Sequence, residues 1–348
     1  MTRRTVAAVA VAVVVLSFLA GSPAGASGSA IRPDNKPTPL AGAENGRVPD
    51  GRLITVAPGC RVAREAGPSL ALLFRTAHES GVDLTGRDCY RPVAGQVAES
   101  QQWSAAGNSA CAATPARGPG GQVTGTSNHG WGKAVDFGDP GSLSFSSTGY
   151  RFLKAQAARF GWNHPGWAEP GGSACPEAWH WEWVGDGGTL GGDPIVADVV
   201  ALLPAPGDAG YDLVSGLGAV RSTGGAPTFG AADTTPLQWV VVGATATPSR
   251  QGYWLVAGDG GIFSFGDATF LGSTGAMRLN APIVGMASTP DGKGYWLVAS
   301  DGGVFTFGTA PFRGSAADAG LRAPAVGLVA TLGGGYRIAA ADGTVVTR

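Results

Sequence analysis

The sequence predicts two domains: a mixed α+β domain with an antiparallel sheet and helices, followed by an all-β domain built from repeats. The chain has 348 residues, which exceeds the usual size of one domain. Apolar residues at helical spacing occur in its first half, whereas the second half contains a motif that recurs at a constant interval. These observations predict both the number of domains and their classes.

The N-terminus has the features of an export signal. Arg3 and Arg4 precede an apolar run over 6–20, and Ala24-Gly25-Ala26 follows it. This order predicts a secretory signal peptide over 1–26, cleaved after Ala26, with a retained anchor as the less favoured alternative because the apolar run is short. The arginine pair leaves the general or the twin-arginine export route open. We therefore expect a secreted chain with no membrane contact after cleavage.

Residues 51–188 are predicted to form the α+β domain. Apolar positions predict one helix over Val62–Ser80, with a break at Gly67-Pro68, and a second from about Ser147 to Phe160. A Gly, Ser and Pro-rich stretch over 27–50 predicts a flexible leader, and a Gly/Pro-rich stretch over 189–207 predicts a linker.

Residues 208–348 are predicted to form four β repeats. The motif G-Y-x-[LI]-[VA] places Tyr211, Tyr253, Tyr295 and Tyr336 at intervals of 42, 42 and 41 residues. An interval near forty with alternating apolar residues is typical of propeller blades, so the repeats are predicted to be propeller-like.

Each repeat is predicted to contain four strands. In one unit the strand-like pieces begin at Ile283, Gly294, Gly303 and Pro311, with turn residues between them. We expect the repeat aromatics to pack between neighbouring units, and exposed aromatic platforms for sugars are the alternative.

Charge and cysteine content narrow the class of protein. A net charge of −1 with 14% charged residues lacks the basic field of a nucleic-acid-binding protein. Cys60, Cys89, Cys111 and Cys175 predict two disulfides in an exported protein. Three pairings are possible. Cys60–Cys89 with Cys111–Cys175 is favoured, because each bond would then close a loop beside a motif described below.

Two motifs carry the candidate chemistry. S-N-H-G-W-G-K-A-V-D runs from Ser127 to Asp136, and E-A-W-H-W-E-W runs from Glu177 to Trp183. A hydrolytic zinc site uses three His or carboxylate ligands and an open position for water. His129, Asp136 and His180 supply that set, so the sequence predicts one catalytic Zn²⁺.

Alternation within W-H-W-E-W predicts two different strand faces. Trp179, Trp181 and Trp183 share a face that we expect to be core, and His180 shares the other with Glu182.

The residue patterns S-x-H-x-x-G-x-A-x-D and E-x-x-H resemble those of VanY-type D-alanyl-D-alanine carboxypeptidases and the related VanX-type dipeptidases, which are zinc enzymes. The resemblance covers roughly Arg52 to Gly185, and every fixed position of both patterns is present. It implies the same three ligands and makes Glu177 the general base. Strand alternation alone favours Glu182, and a bend at Pro176 would reconcile the two.

The resemblance also assigns further site residues. C-Y-R-P-V-A-G-Q matches the family's Y-R-x-x-x-x-Q segment and implies that Arg91 stabilises the developing oxyanion, with Gln96 as a lesser candidate for substrate contact. Ser127 matches a position that contacts substrate, with a turn-capping role as the equally weighted alternative.

The resulting functional prediction is a secreted zinc-dependent carboxypeptidase that removes the terminal D-Ala of peptidoglycan stem peptides. One alternative is an endopeptidase or L,D-peptidase with the same zinc site, and another is a non-catalytic cell-wall-binding protein. The expected partners are the stem peptide and, through the repeats, a cell-wall glycan or polymer.

Overall fold

The computed structural model describes residues 37–111, 113–117, 122–138, 143–185 and 199–348. The predicted signal peptide over 1–26 lies outside the described residues. In the part of the chain that is described, no helix has the length and apolar character needed to span a membrane.

In its described residues, the first domain contains three α-helices and a four-stranded antiparallel sheet with the strand order β3-β6-β8-β7. Separate hairpins are formed by β1 with β2 and by β4 with β5. The elements are β1 (Leu53–Ala57), β2 (Cys60–Ala63), α1 (Gly67–Glu79), β3 (Thr85–Asp88), α2 (Val93–Ala105), β4 (Ala116–Arg117), β5 (Val123–Thr124), β6 (Ala134–Gly138), α3 (Thr148–Gln156), β7 (Trp162–Asn163) and β8 (His180–Trp183).

The predicted first helix starts later than expected. Val62 belongs to β2, and α1 begins at Gly67 with Pro68 in its first turn. Proline suits the first turn of a helix, because the missing N–H would have no partner within the helix. The apolar residue at 62 therefore faces the core from a strand, and the predicted start was wrong.

The second predicted helix is confirmed in position, and its last turn is a 3-10 helix over Ala157–Phe160. The Ser147 side chain caps its start by accepting a hydrogen bond from the backbone N–H of Tyr150.

By contrast, α2 was not predicted from the sequence. Gln96 is its one buried residue, so it lacks the apolar stripe that reveals a helix.

Four three-stranded antiparallel sheets form the second domain. Their strands are β9 (Val199–Pro204), β10 (Tyr211–Ser215), β11 (Val220–Thr223), β12 (Val241–Ala246), β13 (Gly252–Ala257), β14 (Ile262–Gly266), β15 (Ile283–Ser288), β16 (Gly294–Ala299), β17 (Val304–Gly308), β18 (Ala325–Ala330), β19 (Tyr336–Ala340) and β20 (Val345–Thr347). The expected fourth strand at Pro311 is wrong, because the chain there is a loop. No closed propeller is found within 199–348.

Two boundaries differ from the predictions. Strand β9 lies within the predicted linker 189–207 and pairs with β10, so the repeats begin earlier. Within the predicted flexible leader, Leu40 and Val48 are buried against the first domain.

Aromatic side chains join neighbouring repeats, as expected. The rings of Trp254 and Tyr295 lie 5.6 Å apart, and those of Trp296 and Tyr336 lie 5.5 Å apart. All four side chains are fully buried. The last repeat has the exposed Arg337 where the two preceding repeats have tryptophan, which suits the outer unit of a row.

The two domains are in direct contact. Thr55 of β1 forms a bridge with Trp239, and its backbone bonds Gln238 and Val240. One hydrophobic cluster includes residues from both domains, such as Leu70 of α1 and Leu255 of β13.

Candidate metal centre

A short turn positions His129. The 3-10 helix Asn128–Trp131 begins after Ser127, whose Oγ accepts a hydrogen bond from the backbone N–H of His129. Gly132 ends the turn with a φ of 67°, and a Cβ on this residue would lie 2.5 Å from the backbone nitrogen of Ala63. Glycine therefore permits the tight reversal that leads into β6.

The central sheet positions the other two candidate ligands. Asp136 of β6 pairs in register with His180 of β8. The two residues are therefore cross-strand neighbours, with side chains on the same face. Residues Trp181 and Trp183 are buried in the core and Trp179 is half-buried, in agreement with the expected two faces of β8.

The three predicted ligands meet at one point. Asp136 Oδ1 lies 3.1 Å from His129 Nε2 and 3.0 Å from His180 Nδ1, and the two ring nitrogens are 3.2 Å apart. Ligand atoms at about 2.0–2.1 Å from a tetrahedral ion lie about 3.3–3.4 Å from each other. The separations fit a single zinc ion, and this is the one such cluster among the described residues.

Hydrogen bonds on the outer side of each imidazole fix which nitrogen faces the cluster. His129 Nδ1 lies 2.7 Å from the carbonyl oxygen of Cys89, and His180 Nε2 lies 3.2 Å from Glu182 Oε1. Since both oxygens are acceptors, these nitrogens carry the hydrogens. The remaining nitrogens, His129 Nε2 and His180 Nδ1, are left as ligand atoms, as in other metal sites.

Charge around the cluster stabilises a cation. Burial raises the pKa of the Asp136 carboxyl, but the adjacent rings of His129 and His180 outweigh this effect and hold the pKa well below its usual range. Burial lowers the pKa of His180, but Asp136 and Glu182 outweigh this effect and raise it to about 9. Both pKa shifts show that positive charge is favoured between the carboxylates of Asp136 and Glu182.

Glu177 and Glu182 occupy different places relative to His180. Glu182 is buried, contacts His180 Nε2 and accepts a hydrogen bond from Asn128 Nδ2 at 2.9 Å, so it orients the ring. Glu177 Oε2 lies 3.9 Å from His180 Nδ1, on the side of the cluster. Burial raises the pKa of Glu177. The glutamate suggested by the family pattern thus lies beside the ligand atoms, and the one suggested by alternation lies behind them.

Arg91 lies next to the cluster in an acidic setting. Its Nη2 is 3.5 Å from Asp136 Oδ2, Nε donates to Asp88 Oδ2 at 2.7 Å, and Nη1 contacts Glu99. Three carboxylates therefore hold the guanidinium in place.

Gln96 has a different role from the predicted substrate contact. Its Nε2 donates to Asn45 Oδ1 and the carbonyl of Arg91, and its Oε1 accepts from the N–H groups of Thr126 and Ser127. These bonds use the full capacity of the amide, and the residue is 1% exposed. We correct the prediction: Gln96 positions the loop before His129. Ser127 acts as the cap of that turn, which was the alternative for it.

Two features of the site had no clear signal in the sequence. Asn45 lies in the predicted leader yet donates to the carbonyl of Ser127 at 2.8 Å. Trp167 is 41% exposed, with its ring centroid 4.9 Å from that of His180. Neither residue belongs to a motif: Asn45 reaches the site from a turn and Trp167 from the 3-10 helix Gly166–Ala168.

The disulfides in the structure are Cys60–Cys89 and Cys111–Cys175, the pairs favoured from the sequence. The first closes next to the Cys89 carbonyl that binds His129, and the second holds the segment that precedes Glu177.

The family model described as VanY, D-alanyl-D-alanine carboxypeptidase, matches residues 60–186. Residues 60–186 of this chain belong to the VanY family. The matched range contains both motifs, and the chain is therefore a zinc metallopeptidase of the D-alanyl-D-alanine carboxypeptidase family.

Several solved structures are similar to the VanY domain. VanYB in complex with D-alanine-D-alanine is 24% identical, with 46% of this chain and 87% of that chain covered and a TM-score of 0.32. A variant of the D,D-pentapeptidase VanY from a VanB-type vancomycin-resistance cassette, in complex with Zn(II), is 30% identical over 39% of this chain and 80% of that chain, with a TM-score of 0.30.

The LD-carboxypeptidase LdcB is 16% identical, with 47% of this chain and 71% of that chain covered and a TM-score of 0.30. No curated protein matches the chain significantly.

Proposed function

We propose that this chain is an exported carboxypeptidase that hydrolyses the terminal D-Ala-D-Ala bond of peptidoglycan stem peptides. The observation that carries the proposal is the convergence of His129 Nε2, Asp136 Oδ1 and His180 Nδ1, with the Glu177 carboxylate 3.9 Å from the last of these atoms. Family membership of residues 60–186 supports the substrate class.

One zinc ion would be held by His129, Asp136 and His180. When bound, zinc polarises a carbonyl and lowers the pKa of its water to about 7. Glu177 accepts the proton of the attacking water and passes it to the leaving amine, and its raised pKa suits this exchange. Arg91 opposes negative charge on the reacting carbonyl oxygen, and its contacts to Asp88 and Glu99 keep it oriented.

The same zinc centre would serve an endopeptidase or an L,D-peptidase, which cleave other bonds of the stem peptide. A non-catalytic wall-binding role is disfavoured by the complete set of ligands, base and arginine, because burial of polar groups such as His129, His180 and Arg91 costs free energy that a site without chemistry has no need of.

The deciding experiment incubates the mature chain with a stem pentapeptide that ends in D-Ala-D-Ala and identifies products by mass spectrometry. We expect metal-dependent loss of one D-alanine, stopped by a chelator and by Glu177→Ala. Release of the dipeptide or an internal cut would identify one of the alternative peptidases. A metal-loaded chain without turnover on any stem peptide would support the wall-binding alternative.

We also propose that the repeats bind the glycan of the cell wall. Phe270 and Phe312 occupy the same position in consecutive repeats and are 57% and 60% exposed. Trp254 Nε1 donates to the carbonyl of Thr269, and the Tyr295 hydroxyl accepts from the N–H of Leu271. Bonds on both sides of Phe270 thus fix the backbone that carries this exposed aromatic ring, which supports its role as a sugar platform.

Co-sedimentation with purified sacculi tests this second proposal. The double variant Phe270→Ala/Phe312→Ala of the full chain should remain in the supernatant, whereas Leu332→Ala, which removes a more exposed apolar side chain elsewhere, should pellet like the wild type. Equal sedimentation of both variants would contradict it.

Export is the third part of the proposal. The order of arginines, apolar run and Ala24-Gly25-Ala26 supports a signal peptide cleaved after Ala26. Terminal sequencing of the protein from culture medium should give Ser27 as its first residue, and a first residue upstream of the apolar run would contradict it.

A further inference from the structure

A buried histidine outside both motifs lies next to the backbone of Glu177. His164 follows β7, and its side chain is 1% exposed. Its Nε2 lies 2.9 Å from the carbonyl oxygen of Glu177. Because a carbonyl oxygen is only an acceptor, Nε2 carries the hydrogen and donates it.

The other nitrogen of the ring faces a carboxylate. The distance between His164 Nδ1 and Glu169 Oε1 is 2.9 Å. Glu169 also accepts a hydrogen bond from the Tyr150 hydroxyl at 3.0 Å and contacts Lys154. Oxygen atoms therefore face both nitrogens of the His164 ring and hold it from two sides.

Burial alone would raise the pKa of Glu169, but hydrogen bonds from Lys154, His164 and Tyr150 outweigh it and lower that pKa to about 2. The carboxylate therefore stays charged at neutral pH beside the His164 ring.

Aromatic rings restrict the movement of His164. The ring centroids of Trp181 and Tyr150 lie 4.8 Å and 5.4 Å from that of His164. The imidazole therefore holds one orientation, with Nε2 aimed at the Glu177 carbonyl.

The same segment holds Glu177 from its other side. The N–H of Glu177 donates to the carbonyl of Ala168 at 2.9 Å, so both backbone polar groups of Glu177 are bound to residues between 164 and 168. Placement of the Glu177 carboxylate depends on this backbone, and an error of about 1 Å in a reacting group can cost about 100-fold in rate.

We infer that His164, held by Glu169, is a positioning residue that fixes the general base Glu177 beside the metal ligands. This inference rests on the proposed role of Glu177. It assigns a function to a residue that lies outside both motifs and is not one of the metal ligands.

Two substitutions at His164 separate positioning from packing. His164→Phe retains an aromatic ring and removes the donor, whereas His164→Gln loses the ring but offers an amide N–H at the distance of Nε2. In the full mature chain we expect His164→Phe to lower kcat on the stem pentapeptide by about 10- to 100-fold, with KM within about twofold and zinc content unchanged.

His164→Gln should recover a large part of kcat, and Glu169→Gln should lose an intermediate amount. His78→Gln is the matched control, because His78 is a half-buried histidine of α1 outside the site, and it should retain wild-type kcat. A His164→Phe variant with wild-type kcat, or with higher kcat than His164→Gln, would overturn the inference in favour of a packing role.

A measurement that does not depend on turnover separates this inference from the proposed function. In ¹⁵N-histidine-labelled protein we expect the His164 ring, assigned by comparison with His164→Gln, to show a proton on Nε2. An unprotonated Nε2 would overturn the inference whatever the substrate. If wild type does not hydrolyse the pentapeptide but this signature is present, the proposed function fails and the positioning contact stands.

Discussion

The two domains bury different kinds of side chain. Around the metal centre the VanY domain buries polar and charged groups, among them His129, His180, Glu182 and Arg91. The repeats bury mainly apolar and aromatic residues such as Trp254 and Tyr295. Buried polar groups cost free energy unless they are bonded, so their concentration in one domain marks where the chain retains chemistry. The repeats instead gain stability from packing.

Among the substitutions that compare the two domains, we expect the largest effect from Asp136→Asn. This change removes the carboxylate that lies between the two histidines, while retaining side-chain size. We expect bound zinc to be lost and activity to fall by about a thousandfold or more, because metal ligands act as a unit. Metal analysis and stem-peptide hydrolysis check this.

Asp259→Asn is the corresponding control in the repeats, where the carboxylate accepts a hydrogen bond from Gly261 within a turn. It should leave zinc content and activity unchanged. If it lowered activity as much as Asp136→Asn, the assignment of chemistry to the VanY domain alone would be wrong.

A second test removes packing from the repeats. Trp296 is fully buried and donates to the carbonyl of Pro311 at 2.9 Å. Trp296→Ala should lower the free energy of unfolding by about 3–5 kcal/mol, as large-to-small core changes do. Zinc content should be retained in the folded protein.

The exposed Phe312 provides the comparison, and Phe312→Ala should change stability by less than about 0.5 kcal/mol. Chemical denaturation measures both variants. Similar free energies of unfolding for the two variants would mean that the aromatic contacts between repeats do not stabilise the repeat domain.

The smallest expected effect is a dependence of kcat/KM on pH. Burial raises the pKa of Glu177, so the carboxyl binds its proton at a higher pH than an ordinary glutamate. A protonated Glu177 accepts no proton, so kcat/KM should fall as pH decreases, starting above the usual range for a glutamate.

Zinc content and melting temperature at each pH separate this titration from loss of metal or unfolding. An activity that stays constant down to the usual glutamate range would contradict Glu177 as the base.

Local patterns in the sequence were sufficient to predict the metal ligands. They were insufficient to predict all of the elements that surround the site. The ligands follow from two motifs, because strand alternation and a glycine turn fix which side chains project together. Helix α2 was missed because its exposed surface carries no apolar stripe. The fourth strand of each repeat was wrong because a short alternating piece such as that at Pro311 also suits a loop.

The sequence by itself determined the different secondary structure of the two halves of the chain, the repeat period and the three residues that meet at the candidate metal centre. The tertiary structure decided the separate positions of Glu177 and Glu182, the full engagement of Gln96 and the contact of His164 with the Glu177 backbone. The physical reason is the separation along the chain of the residues that interact. Periodicity and motifs reflect interactions between neighbours in the sequence. Orientation at the site instead depends on hydrogen bonds between segments that only folding brings together.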